Sequence, residues 1–266
     1  MTAFSGRLLG AHQRIDRLAR KHVGRLLPQA SFPSTRSILH FEGRNGPDAI
    51  KRKSPAQDEP WHYLRPFDPD DTQLIKLIEY HYGRLVAALR IQDDVRASFE
   101  AAWLSHAVVD GLTPAHHYPY EAQLTELRNG RSIQDRTTIG KKLIMPGETA
   151  RHQLKNNWKM WGPKGLFTTH AAFEMGVACL LAPLKTRHTR PTADKLDAFK
   201  AQPLGLWFRQ LAQDVARLEL YDAFYGSGWD IPLARQVRHQ LAPVLVQAVA
   251  VIWYGAALEA GNAGAA

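Results

Sequence analysis

The sequence predicts an all-α protein, a multi-helix bundle in a single domain, and three observations lead there. Apolar residues recur at the helical period in about six stretches. No two segments alternate as paired strands would. Two largely apolar helices each place a histidine four residues ahead of a carboxylate, His106 with Asp110 and His170 with Glu174. The chain has 266 residues, 45% of them hydrophobic and 22% charged, an ordinary globular balance with enough length for a sizeable core.

The elements follow in order. Leu8, Leu9, Ile15, Leu18, Val23 and Leu26 predict a basic amphipathic helix over 8–27, with His12 near its start. A turn-rich connection follows, and a short extended segment is expected within 31–40. Residues 41–71 are dense in Gly, Pro, Asp and charge, with no period. So long a loop in a compact domain tends to be functional or disordered, and Trp61, Tyr63 and Phe67 argue against disorder. Gly46-Pro47-Asp48 and Trp61-His62-Tyr63 are therefore candidates for fixed positions at a site, while Lys51, Arg52 and Lys53 read as a solvated turn. Asp71 or Thr72 is expected to cap a helix over 72–90, with His81 inside it between the buried and exposed faces.

The organising stretch comes next. A helix over 95–110 carries His106 and Asp110 on one face, and Gly111 and Pro114 stop it, returning His116 toward the same place. Residues 122–135 are polar and ambiguous. A short helix ending near Trp161 is expected within 138–165, then the His170/Glu174 helix over 167–184, closed by Pro183. A charged, Pro-containing linker fills 186–203, and helices over 204–225 and 233–258 flank the turn GSGWDIP. Residues 1–259 are thus expected as one domain and 260–266 as a disordered small-residue tail.

Charge and cysteine content narrow the function. The net charge of +9 and a sequence pI near 9.7 suit an anionic partner: a phosphate ester, nucleic acid or an acidic membrane surface. A single cysteine, Cys179, excludes an internal disulfide and reads as a small buried apolar residue. The first twenty residues lack an apolar core fit for a secretory signal, so a cytoplasmic location is expected, with peripheral membrane association compatible. Residues 241–258 carry no charge, and they read as a buried C-terminal helix rather than a membrane-attached one.

Imidazole and carboxylate at helical i,i+4 spacing are ligands that zinc accepts in hydrolytic sites. Buried ionisable groups are costly unless paired or metal-bound, so two such pairs in apolar helices point to a metal centre.

The full series is His12, Asp48, His62, His106-x3-Asp110-x5-His116 and His170-x3-Glu174. In order and flanks (GPD at Asp48, WHYLRPFDPDD at His62, TPAH at His116) it resembles the zinc-dependent phospholipase C family and the related S1/P1 nucleases. Glu174 in place of Asp tilts it toward the phospholipase branch. The likeness spans about residues 8–180. It implies two or three zinc ions: Asp48, His62, His106 and Asp110 on one, with Asp110 bridging, His116, His170 and Glu174 on a second, and His12 helping to hold a third. Secreted members complete that third site with an N-terminal Trp, which this sequence lacks ahead of His12. The span between His116 and His170 is an insertion relative to them. The implied activity is hydrolysis of a phosphodiester such as a phospholipid head group, with Asp48 in both a ligand role and a proposed base role. A nuclease of the S1/P1 type is the second reading, set back by the absence of a basic stripe interleaved with aromatics. A non-catalytic, zinc-stabilised helical binding protein is the third. Asp58 competes with Asp48 by its own spacing to His62, and His117 is expected to point elsewhere.

Overall fold

The computed structural model describes residues 10–28, 31–43, 45–48, 61–131, 135–136 and 138–262. Its helices are α1 (Ala11–Leu26), α2 (Thr35–His40), α3 (Gln73–Arg90), α4 (Asp94–Gly111), α5 (Tyr120–Leu127), α6 (Ile139–Leu143) and α7 (Ala150–Trp161). After them come α8 (Leu166–Leu181), α9 (Ala193–Lys200), α10 (Leu204–Ala216), α11 (Leu220–Ser227), α12 (Ile231–Gln236) and α13 (Ala242–Asn262). Among the described residues there is no strand, so the all-α expectation holds.

Helix α4 lies at the centre, packed against α1, α2, α3 and α13. The Asp93 carboxylate starts it by accepting the Arg96 N–H at 2.9 Å, an N-cap. Small residues such as Ala101, Ala102, Ser105 and Ala107 are buried along it and let neighbours approach closely. At its end Gly111 is required: a Cβ there would lie 2.7 Å from both Leu74 Cδ2 and Phe208 Cζ. Trp253 of α13 is fully buried and donates its indole N–H to the Ala101 carbonyl at 3.1 Å, tying the last helix to the central one.

Residues 231–261 are long and apolar enough to cross a membrane, yet two-thirds of their most apolar stretch is buried within the protein. This matches the expected buried C-terminal helix. Pro243 leaves the His239 carbonyl without its usual helical donor, and the turn over Val237–Leu241 widens to a π-helix before α13 begins. Helix α13 continues to Asn262, three residues into the stretch expected as tail; residues 263–266 lie outside the described ones.

Several local expectations need correction. Residues 35–40 form a helix, with the Ser34 hydroxyl capping it through the Ser37 N–H at 3.1 Å. The charged linker contains α9, whose Phe199 is buried against Trp207. The expected helix over 204–225 is two, because Glu219 adopts a left-handed φ of 50° between α10 and α11. Asp71 does not cap α3; its carboxylate accepts the Arg65 N–H at 2.8 Å, and Thr72 makes no side-chain cap either. His81 is buried rather than peripheral, with Nδ1 2.6 Å from Glu100 Oε2. Cys179 is exposed, on the outer face of α8. Lys51, Arg52, Lys53 and Asp58 lie outside the described residues.

Candidate metal centre

The two helices with His-x3-acid pairs bring their pairs to one place. On α4, His106 Nε2 lies 3.2 Å from Asp110 Oδ2, and on α8, His170 Nε2 lies 3.1 Å from Glu174 Oε1. His116 connects them: its Nε2 is 2.9 Å from Glu174 Oε1, and its Nδ1 is 3.8 Å from Asp110 Oδ1.

The loop residues are set by backbone bonds. Thr113 donates its N–H to the Asp110 carbonyl at 2.9 Å, and His116 donates its own to the Thr113 carbonyl at 2.8 Å, curling the chain back beneath α4. Leu64 N–H bonds to the His116 carbonyl at 3.2 Å, while His116 Nδ1–H donates to the His62 carbonyl at 2.9 Å. This reciprocal pair places the two histidines side by side and leaves His116 Nε2 as the ring's lone-pair nitrogen. His62 Nδ1 in turn hydrogen-bonds Asp110 Oδ2.

Asp48 is half-buried, with Oδ1 3.7 Å from His106 Nε2. Gly46 shapes this turn, since a Cβ there would lie 1.9 Å from the Glu42 carbonyl oxygen. His12 reaches in from α1, its ring stacked 4.1 Å from that of His106 and its Nε2 3.3 Å from Asp110 Oδ1. All eight residues expected at a centre therefore form one connected cluster. Three sets, two within it and a third that adds Glu42, could each hold a metal ion, with ligand atoms no more than 4.8 Å apart: Asp48, His62 and His106; His116, His170 and Glu174; and His12, Glu42 and His106. His117 points away, donating Nε2–H to the Gly111 carbonyl at 2.9 Å, and burial pushes its pKa down to about 4.

The electrostatics favour a cation. Burial disfavours the imidazolium of His106, but the carboxylates of Asp110, Glu42 and Asp48 outweigh it and hold the group well above its ordinary range. His116 rises for the same reason, with Asp110 and Glu174 overcoming burial. Burial would raise Asp110 and Glu174, yet the surrounding histidines hold both carboxyls well below the usual range. The carboxylates that favour a charged imidazole would equally favour a divalent cation. His106 Nε2 lies between the carboxylates of Asp110, at 3.2 Å, and Asp48, at 3.7 Å, an imidazole nitrogen with carboxylate oxygens converging on one point, as ligands of a metal do.

Sequence reasoning missed residues behind the cluster. Glu42, buried, accepts His106 Nδ1–H at 3.0 Å and so directs Nε2 inward. Nothing in the spacing marks Glu42, which is 64 positions from its partner. Asp16 is buried next to Glu42 and accepts the Ser105 hydroxyl; burial and then the Glu42 charge raise its pKa well above the carboxylate norm. Its signal was present, since His12-x3-Asp16 repeats the helical spacing of the other pairs. Arg209 of α10 clasps the DPDD loop through the carbonyls of Asp68 at 2.5 Å and Asp71 at 2.7 Å. A groove of about 520 Å³ runs beside this loop to His116, walled by Trp61, Tyr63, Tyr118 and Tyr120, with Arg65 and Lys76 at its edge.

The fold and the cluster define an all-helical protein with adjoining histidine–carboxylate groups suited to metal. No family model, no curated protein and no solved structure matches the chain.

Proposed function

We propose that this protein is a zinc-dependent phosphodiester hydrolase of the phospholipase C type. The observation that carries the reading is the position of Asp110. Its two oxygens face His62 and His106 on one side and His12 and His116 on the other, joining sets that are far apart in sequence. A carboxylate so placed is suited to bridge ions, and adjacent zinc ions suit phosphodiester cleavage. Asp48, His62, His106 and Asp110 would hold one ion, His116, His170 and Glu174 a second, and His12 would help hold a third. Zinc bound there supplies Lewis-acid neutralisation of phosphoryl oxygens and activation of water near neutral pH.

The protein's own residues do the remainder. Glu174, with its side chain 41% exposed, Asp48, at 24%, and His12, at 19%, are the members of the cluster that reach solvent. Structural zinc sites are closed, whereas catalytic ones keep a position for water and substrate, so this exposure favours catalysis. Tyr63 and Tyr120, stacked 5.6 Å apart, form an apolar wall beside His116 and His170 in a groove that Lys76 also lines, while the Arg65 there is paired with Asp68 and Asp71. Asp48 acts first as a ligand and second as a base for the attacking water.

Hydrolysis of a chromogenic phosphodiester tests the reading. Zinc-loaded protein should turn the ester over, chelator should abolish turnover, and re-added zinc should restore it. Zinc-loaded, folded protein inert toward phosphodiesters of lipid and nucleotide alike would overturn it.

A further inference from the structure

Residues 138–167, within the span that separates His116 from His170, present a surface that the metal centre does not use. Leu154 and Trp158 stand one turn apart on α7 and are 71% and 68% exposed. Leu143 and Ile144, at the end of α6, and Phe167, on α8, are also exposed. The Trp161 indole bonds the Leu143 carbonyl at 2.8 Å and its ring lies 4.9 Å from that of Phe167, so the patch continues from α6 across α7 to α8. Beneath it Met145, Met160 and Leu166 pack with Tyr120 and Leu124, which holds the patch as a firm surface rather than a loose flap.

Charge surrounds these apolar side chains. Lys141, Lys142, Arg151, Lys155, Lys159 and Lys164 lie in this segment, and Glu148 is its single acidic residue. On α7, Arg151, Lys155 and Lys159 repeat at i,i+4 beside the Leu154–Trp158 stripe, all three exposed. Apolar and aromatic side chains flanked by lysine and arginine match the boundary between lipid head groups and acyl chains. Leucine and isoleucine at the crest do not serve a nucleic acid, whose bases need aromatic platforms. Like charge on both faces opposes a second copy of this chain at the same surface.

We propose that α6, α7 and the start of α8 dock the protein on an anionic lipid surface, with Leu143, Ile144, Leu154, Trp158 and Phe167 inserting among head groups and Lys141, Arg151, Lys155, Lys159 and Lys164 pairing with acidic lipids. Phe167 stands one turn before His170 on α8, so docking brings the centre to the membrane. That last consequence rests on the phosphodiesterase reading; the docking itself does not.

Co-sedimentation of the full chain with phosphatidylcholine vesicles, with and without phosphatidylserine, tests it in the absence of any turnover. Binding is expected to require phosphatidylserine and to weaken as salt rises. Paired substitutions Leu154→Ser with Trp158→Ser, and Lys155→Glu with Lys159→Glu, should each reduce binding about tenfold or more. The sites are exposed, and an unchanged thermal midpoint verifies that both variants fold. Trp158→Phe should lose part of the vesicle-induced blue shift in fluorescence. Binding indifferent to both pairs, or no binding to acidic vesicles, overturns the proposal. So does a dimer that dissociates on the Leu154/Trp158 change, or an oligonucleotide bound in preference to vesicles. Vesicle binding without ester hydrolysis would keep the docking surface and overturn the proposed function; hydrolysis without vesicle binding would do the reverse.

Discussion

At the scale of single residues, the centre depends on carboxylates that each serve more than one partner. Asp110 contacts four histidines, so Asp110→Asn should lower zinc at two sites together. Glu174→Gln should lower only the ion held with His116 and His170, and metal analysis distinguishes the two patterns. Asp48→Asn separates ligand from base: a base role predicts full zinc with lost turnover, a ligand role predicts that both fall and that added zinc restores part of both. Glu42→Gln should weaken zinc about tenfold to a hundredfold through the freed His106 ring, with folding retained. Full zinc content in the Asp110, Asp48 and Glu42 variants would contradict these roles. Helical spacing marks His106 with Asp110 and His170 with Glu174, whereas His12 and Asp48 stand out only through the resemblance in order and flanks. Glu42 was not legible: no motif links it to a histidine so distant in the chain, and only folding brings them together.

Among the elements, the two site helices were legible to within a few residues, since an apolar period and a clear stop define each. The breaks elsewhere were less so. Glu219 has no sequence signature for a left-handed turn, and helices α10 and α11 read as one continuous apolar stripe. Helix α9 hid in a charged stretch where Phe199 is the buried anchor. The family likeness ends near residue 180, yet Arg209 and Gln213 of α10 grip the loop that follows His62. Gly111 tests how tightly the central helix end is held. Gly111→Ala should cost about 1 to 3 kcal/mol by overpacking against Leu74 and Phe208. It should also shift His116 and so lower zinc affinity. A denaturation midpoint equal to that of the unsubstituted chain would show that Phe208 moves aside freely.

Across the whole molecule, the helices converge so that the metal-type residues from α1, α4, α8 and two loops meet over a core containing α13. Burial explains both properties of the site. It makes the histidine–carboxylate cluster too costly to leave without a cation or a proton, and it leaves Asp48 and Glu174 reaching solvent. The basic, apolar surface of α6 and α7 adjoins that region through α8, which accords with a lipid-borne ester. The most direct measurement of the central claim is an anomalous difference map at the zinc edge from crystals grown with zinc. Two or three peaks are predicted within the cluster, each about 2.0 to 2.2 Å from its ligand atoms. One should lie among Asp48, His62, His106 and Asp110, another among His116, His170 and Glu174. Zinc peaks confined to surface histidines, with none inside the cluster, would contradict the account.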